Sequence, residues 1–481
     1  MTNKTMMQYF EWYLPNDKSL WRQVASEAKK LKECGIDMLW LPPAYKGANG
    51  RTDVGYSVYD LYDLGEFYQK GSTETKYGSM QEYLTAIQTL HDNDIKVIAD
   101  IVLGHKTGAD ETEDVMASID DYFDRTKRIG EERKIRAWTQ FKFYARKNKY
   151  SSFKWNHHHF HGVDYDDLSH TNAIFHFQGK EWDNEVDDEL GNYDYLLGAD
   201  VDMSHPDVVE ELTKWGLWYT NFANLDGYRL DAVKHIKFEF YRDWLLHMQE
   251  SSSKDLYSVA EYWSPDLNKL LHYIEKTNGR TKVFDVPLHF NMYQAATNPQ
   301  YYMGNILKNT VLVSKPEHAV TFIDNHDSQI GQALQSWISP WFKPLSYALI
   351  LLHKDGDPCV FYSDYYGEKQ NNFPPVKHLK TLLKLRKEKA YGTQYDYFDH
   401  EHMIGFTRSG CAQKPGSGLA VVMTNHDAGF KKMYIGTEYA GKEFIDALGE
   451  FDSTVTVTIM PNGCGKFLVN EKSVSVWVLK S

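Results

Sequence analysis

The sequence predicts an α/β protein: a (β/α)8 TIM barrel with an inserted, irregular, β-rich subdomain after its third strand and a C-terminal antiparallel β-sandwich. Three observations predict it. Near-continuous apolar strands alternate with amphipathic helices, the pattern of a parallel sheet covered on its outer face. The strand candidates number eight, in a chain of 481 residues. Beyond about residue 395 the apolar period falls to two, as in STVTVTIM and KSVSVWVL, which marks half-buried antiparallel strands.

The elements follow in order. MMQYFEW is a first short apolar run. SLWRQVASEAKKLKECG is an amphipathic helix with Leu20, Val24, Ala28 and Leu31 on one face and Gly35 as its stop. IDMLWLPP is a buried strand ending at prolines, and SMQEYLTAIQTLHD is a helix in which Ser79 and Glu82 have capping-box spacing. IKVIADIVLGH is the third strand. Residues 104–205 then lose the alternation and are rich in Asp, His and aromatics; a hundred residues is too long for a plain loop. The alternation resumes with the helix DVVEELTKWGLWYTNF. Five strand candidates follow, LDGYRL, LYSVAE, KVFDV, AVTFIDNHD and PCVFYSD, with helices such as SPDLNKLLHYIEK between some of them. The expected division is barrel 1–103, insert 104–205, barrel 206–394 and β-sandwich 395–481. A doubly wound open sheet is the alternative, but it usually carries a glycine-rich phosphate loop after its first strand, and none is present here.

Composition narrows the function. With 53 Lys+Arg against 66 Asp+Glu the formal charge is −13, which repels phosphate backbones and argues against a nucleic-acid partner. No apolar run approaches the roughly 18 residues a bilayer requires, so no membrane role is expected, and YALILL reads as part of a buried helix. Aromatics make up 15% of the chain, which serves either as extra core or as platforms for flat amphipathic ligands such as sugars; composition alone favours core. MTNKTMMQYFEWY has no apolar signal-peptide region, and Cys34, Cys359, Cys411 and Cys464 lie far apart with no CxxC. Reduced thiols in the cytoplasm are therefore expected.

Polar residues recur where barrel strands end, the face that carries active sites. Asp100 and His105 follow the third strand; Arg229, Asp231, Lys234 and His235 follow the fourth; Glu261 and Trp263 follow the fifth; Asp324, His326 and Asp327 follow the seventh. Acids from several strands on one rim repel one another unless paired or used. Glycosidic bond cleavage needs such a set: one carboxylate ionised at the anomeric carbon, another protonated toward the leaving oxygen. Arg229 two residues from Asp231 favours ionisation there. Glu261 between Val259 and Trp263 is expected to hold its proton through desolvation.

DIVLGH (100–105), GYRLDAVKH (227–235), VAEYW (259–263) and FIDNHD (322–327) together resemble the α-amylases of glycoside hydrolase family 13. The closest likeness is to the liquefying bacterial enzymes and their intracellular relatives. MQYFEWYLPND, VGYSVYDLYDLGEF and GNYDYLLGADVD extend the likeness over nearly the whole chain. The resemblance implies roles. Asp231 is the nucleophile, and Glu261 the general acid and then base. Asp327 is a third acid that holds sugar hydroxyls and stabilises the transition state. His105 and His326 bind hydroxyls beside the cleaved bond, with Asp100 and Arg229 acting through the network. Tyr56 stacks under the same sugar, and Lys234, His235 and Trp263 serve the leaving-group side. Retention is implied, with carboxyls ~5–5.5 Å apart.

No cofactor is expected for the chemistry. The resemblance does imply a structural calcium between barrel and insert, and here the sequence departs: Gly104 stands where the family has Asn, and His161 and Ser204 where it has Asp. Asp183, Asp194, Asp200, Asp202 and the His235 carbonyl remain as candidate ligands. Two readings stay open. One calcium persists on Asp194, Asp200 and carbonyls; or the site holds no metal and His161 or another cation neutralises the aspartates. The second is favoured, because glycine supplies no side-chain oxygen and calcium prefers oxygen to imidazole nitrogen. The run NHHHFH suggests zinc, but consecutive histidines cannot all face one ion, so His157, His158 and His159 are expected on a polar surface or in the cleft. The expected activity is endo-hydrolysis of α-1,4 links in starch, glycogen or maltodextrins. A same-fold transglycosylase and a non-catalytic carbohydrate-binding protein are the alternatives; the full acid set argues against the last.

Overall fold

The computed structural model describes residues 3–480. Eight short strands are almost wholly buried: β1 (Met6–Gln8), β2 (Met38–Leu41), β3 (Lys96–Ile101), β4 (Gly227–Leu230), β5 (Tyr257–Ala260), β6 (Lys282–Phe284), β7 (Ala319–Phe322) and β8 (Asp357–Phe361). They pair in parallel and close into a barrel, each beside its sequence neighbours and β8 beside β1. Each is a predicted strand. Their side chains are mostly apolar on both faces because the barrel interior lies on one side and helices on the other.

The helices show why they start and stop where they do. Leu20–Cys34 buries Leu20, Val24, Ala28 and Leu31 and ends at Gly35, whose φ of 99° only glycine adopts without strain. Met80–Asp92 begins at a complete capping box, Ser79 accepting from the Glu82 amide and Glu82 from the Ser79 amide. Ser79→Ala is expected to destabilise the protein by about 1 kcal/mol, read as a lower urea midpoint with starch turnover unchanged at ambient temperature. YALILL lies within the buried helix Lys343–Leu352, as its composition implied.

Residues 105–201 supply a separate six-stranded sheet, in which long strands Glu111–Asp120 and Arg128–Gln140 pair at one edge. At the other edge His105–Lys106 pairs with Ala199–Val201, placing His105 opposite Asp200, and Asp200 opposite Gly162. The insert is thus more regular than its sequence suggested. Its strand faces are too polar to give a clean apolar period.

Residues after 393 form a six-stranded antiparallel sheet packed on the pair Gly429–Tyr434 and Cys464–Val469. Val422, Met433, Phe467 and Trp477 fill the space between them. KSVSVWVL supplies the strand Val474–Leu479, but STVTVTIM pairs in the sheet only at Val457–Thr458. Its first residues are drawn into a turn, because Asp452 accepts hydrogen bonds from the backbone and hydroxyl of Thr454 and its carbonyl accepts from Val455.

Candidate active site

Barrel register assembles the site. Arg229 pairs with Asp100 of β3 on one side and with Val259 of β5 on the other. Its buried guanidinium donates from one terminal nitrogen to Asp100 (2.9 Å) and Asp231 (2.6 Å), and from the other to Glu261 (3.1 Å). One cation thus holds three carboxyls from three strands, and the faces of Trp40 and Tyr56 lie 4.9 and 5.9 Å from it. Asp100 accepts in addition from Trp40 Nε1 (2.9 Å) and the Tyr56 hydroxyl (2.8 Å), so its remaining oxygen is also satisfied.

The backbone is shaped to serve Glu261. Ala232 sits at φ 46°, ψ 42°, left-handed values costly for a residue with a Cβ. That turn aims its N–H at Glu261 Oε2, 2.9 Å away. Burial pushes the Glu261 carboxyl up to about 8, with the charges of Asp231 and Asp327 adding and Arg229 opposing. Burial likewise raises Asp327, again against the pull of Arg229. The predicted desolvation of Glu261 is therefore present, and it favours the protonated carboxyl at neutral pH.

His326 and Tyr56 flank these acids. His326 is kept neutral by burial and by the charge of Arg229. Gln8 Nε2 lies 3.1 Å from Nδ1; with the amide as donor, the ring proton is on Nε2, which faces Asp327 at 3.2 Å. The Tyr56 ring stacks on His326 at 4.9 Å and 12°, and Trp12 lies nearly parallel to both. His105 Nε2 donates to the Tyr56 carbonyl (2.7 Å). His235 Nδ1 donates to the Tyr193 carbonyl (2.6 Å), and burial lowers that imidazole to about 3, so it is neutral. Lys234 pairs with Glu189 (2.7 Å) over the Tyr193 ring. Trp263 packs on His289, Phe290 and Phe322.

The candidate metal residues gather elsewhere, at the seam between insert and barrel. Asp183, Asp194, Asp200 and Asp202 are all buried, with His161 among them. The histidine run does not converge. His157 pairs with Glu113 at 2.6 Å. His159 approaches His205 and Asp207, but its Nδ1 accepts from the Asn156 amide and that of His205 from the Asp207 amide. Both Nδ1 lone pairs are thus already engaged by backbone N–H groups and are not free for an ion.

Gln8, Trp12, Trp40 and Ala232 were not singled out from sequence. Gln8 and Trp40 had a usable signal, since each sits at a barrel strand's C-terminal end like the acids. Trp12 and Ala232 had none: one comes close only through the fold, and the other matters through its backbone.

A closed parallel barrel whose C-terminal rim holds a protonated glutamate and an arginine-bound aspartate on one guanidinium defines a glycoside hydrolase. Comparison with known proteins gives the particular family. The description "Alpha amylase, catalytic domain" matches residues 20–407, and "Alpha-amylase C-terminal" matches residues 419–478. The chain is 54% identical to an alpha-amylase of Geobacillus stearothermophilus, over 99% of this chain and 87% of that protein. It is 42% identical to the cytoplasmic alpha-amylase of Escherichia coli (strain K12), over 100% of this chain and 99% of that one. The solved structure of an alpha-amylase from Geobacillus thermoleovorans complexed with acarbose shares the fold, with a TM-score of 0.64 at 17% identity, covering 100% of this chain and 98% of that one. The chain belongs to the alpha-amylase family.

Proposed function

We propose that the protein hydrolyses internal α-1,4-glucosidic links of starch, glycogen or maltodextrins with retention of anomeric configuration. One observation carries this reading: the Arg229 guanidinium binds Asp231 at 2.6 Å and Glu261 at 3.1 Å, while Glu261 keeps its proton up to about 8. Asp231 attacks the anomeric carbon and the C–O bond to the leaving sugar breaks as Glu261 protonates that oxygen. Glu261, now a carboxylate, takes a proton from water. The water oxygen displaces Asp231 and restores both groups. Asp327, with the His326 N–H beside it, holds hydroxyls of the sugar under attack, and Tyr56 presents its ring to that sugar. Asp100 orients Arg229. His105 donates its proton to the Tyr56 carbonyl and keeps Nδ1 for a sugar hydroxyl. Lys234, His235 and Trp263 bind the leaving-group side.

The substrate is a neutral polymer, consistent with a formal charge of −13 and with the aromatic rings of Tyr56 and Trp12 near the acids, where the Arg229 guanidinium is already engaged by Asp100, Asp231 and Glu261. Among the described residues no helix is long and apolar enough to cross a membrane. A cytoplasmic setting, with internal maltodextrin or glycogen as substrate, is supported by the likeness to the Escherichia coli enzyme named cytoplasmic. We assign the division at 103/104, 205/206 and 394/395 to barrel, insert and C-terminal sandwich.

Proton NMR of the first products from a maltooligosaccharide tests the reaction: α-anomers are expected before mutarotation. β-anomers would rule out Asp231 as a covalent nucleophile. Early products longer than the substrate would indicate transfer in place of hydrolysis.

A further inference from the structure

We propose that His161 takes the place of a structural metal ion at the seam between insert and barrel, so that this chain folds and acts without calcium. Four buried aspartates meet there, and buried carboxylates must be neutralised or hydrogen-bonded. The His161 ring lies between three of them: Nδ1 is 2.9 Å from Asp200 and 3.3 Å from Asp194, and Nε2 is 3.2 Å from Asp202. Both ring nitrogens face carboxylate oxygen, the arrangement of a doubly donating imidazolium. The edge of Trp182 covers it, with ring centroids 5.8 Å apart.

Other donors reach three of these aspartates as well. Lys180 Nζ is 2.6 Å from Asp202, and the Asp183 amide donates to Asp194 at 2.8 Å. The Ser204 hydroxyl donates to Asp183 at 2.5 Å and accepts from Lys237 at 3.0 Å. Lys237 itself lies 3.9 Å from Asp183. Three cationic side chains thus face four carboxylates.

Calcium does not fit this donor set. It takes about six to eight oxygens, and the space between the carboxylates is filled by an imidazole with its N–H groups outward. Gly104 offers no side chain, and a Cβ there would meet Ile236 at 3.2–3.3 Å, so hydrocarbon occupies the room a ligand would need. Asp183 Oδ2 is buried without a donor, but a single oxygen cannot hold the ion. The knot also fixes neighbours of the cleft, because Asp200 pairs in register with His105 and Tyr193, beside Asp194, holds His235.

The test uses the full-length protein, dialysed against EDTA. Wild type is expected to show the same Tm with excess chelator as with millimolar calcium, undiminished starch turnover in chelator, and no stoichiometric calcium by elemental analysis. A calcium-dependent Tm or a retained calcium ion in wild type overturns the proposal, whatever the variants do. His161→Asp replaces the cation with a further carboxylate; its Tm is expected to fall in EDTA and to rise with calcium concentration. His161→Gln keeps the size but not the charge, and is expected to lose Tm without calcium rescue. Wild-type stability in both variants would also overturn the proposal. The Tm and elemental readouts do not depend on the roles of Asp231 or Glu261, so failure there leaves the reaction untouched.

Discussion

Glu261→Gln is expected to lose about 10²- to 10⁴-fold in kcat on soluble starch, the range for removing a general acid. The amide keeps the shape of the side chain but cannot protonate the leaving oxygen. The structure adds a pH signature. Because burial holds the Glu261 proton up to about 8, wild-type kcat should fall as pH rises through that value. The same shift affects stability, and its sign is definite. A carboxyl whose folded value exceeds its unfolded one binds more protons folded than unfolded. Its stabilisation is full below the unfolded value and is lost as pH rises toward 8. Glutamine carries no such penalty, so the Tm of Glu261→Gln relative to wild type should improve between pH 5 and pH 8. A variant with wild-type kcat would refute the assignment of the acid, and a flat Tm difference would refute the raised proton affinity.

Arg229→Leu is expected to abolish detectable turnover and to destabilise the protein by about 3–5 kcal/mol, as when one partner of a buried ion cluster is removed. Asp100, Asp231 and Glu261 all accept hydrogen bonds from this one guanidinium, and Asp100 is wholly buried. Without it, three carboxyls face one another in an apolar ring, and each must protonate or draw in water. Arg229→Lys keeps the charge but has no planar fork to reach Asp231 and Glu261 from separate nitrogens, so recovery of stability should exceed recovery of rate. Urea denaturation beside starch kinetics measures both. Near-native stability in Arg229→Leu would show that the cluster does not depend on this cation.

The acids and the barrel were legible for one reason. Strand ends in a parallel barrel face one rim, so polar residues at those ends can be read along the chain as a list of site residues. Arg229 and Asp231 could be paired before any coordinates, since the spacing and the apolar strand already place them together. The calcium question was legible only as a conflict, a histidine and a serine where the resembled family keeps carboxylates. Neither the insert's long hairpin, Glu111–Asp120 with Arg128–Gln140, nor the early turn at Asp452 showed in periodicity. In both places polar side chains and local side-chain-to-backbone bonds outweigh the apolar pattern.

By itself, then, the sequence determined the order of strands and helices, the closed barrel, and which acids reach its rim. Burial periodicity and element-end chemistry act within a few residues, so local order carries them. Tertiary structure alone decided that one guanidinium serves Asp100, Asp231 and Glu261 together. It alone decided that Gln8 sets the His326 proton and that His161 stands between Asp194, Asp200 and Asp202. Those facts depend on distances between segments tens to hundreds of residues apart, and only closing the barrel and folding the insert back onto it sets them.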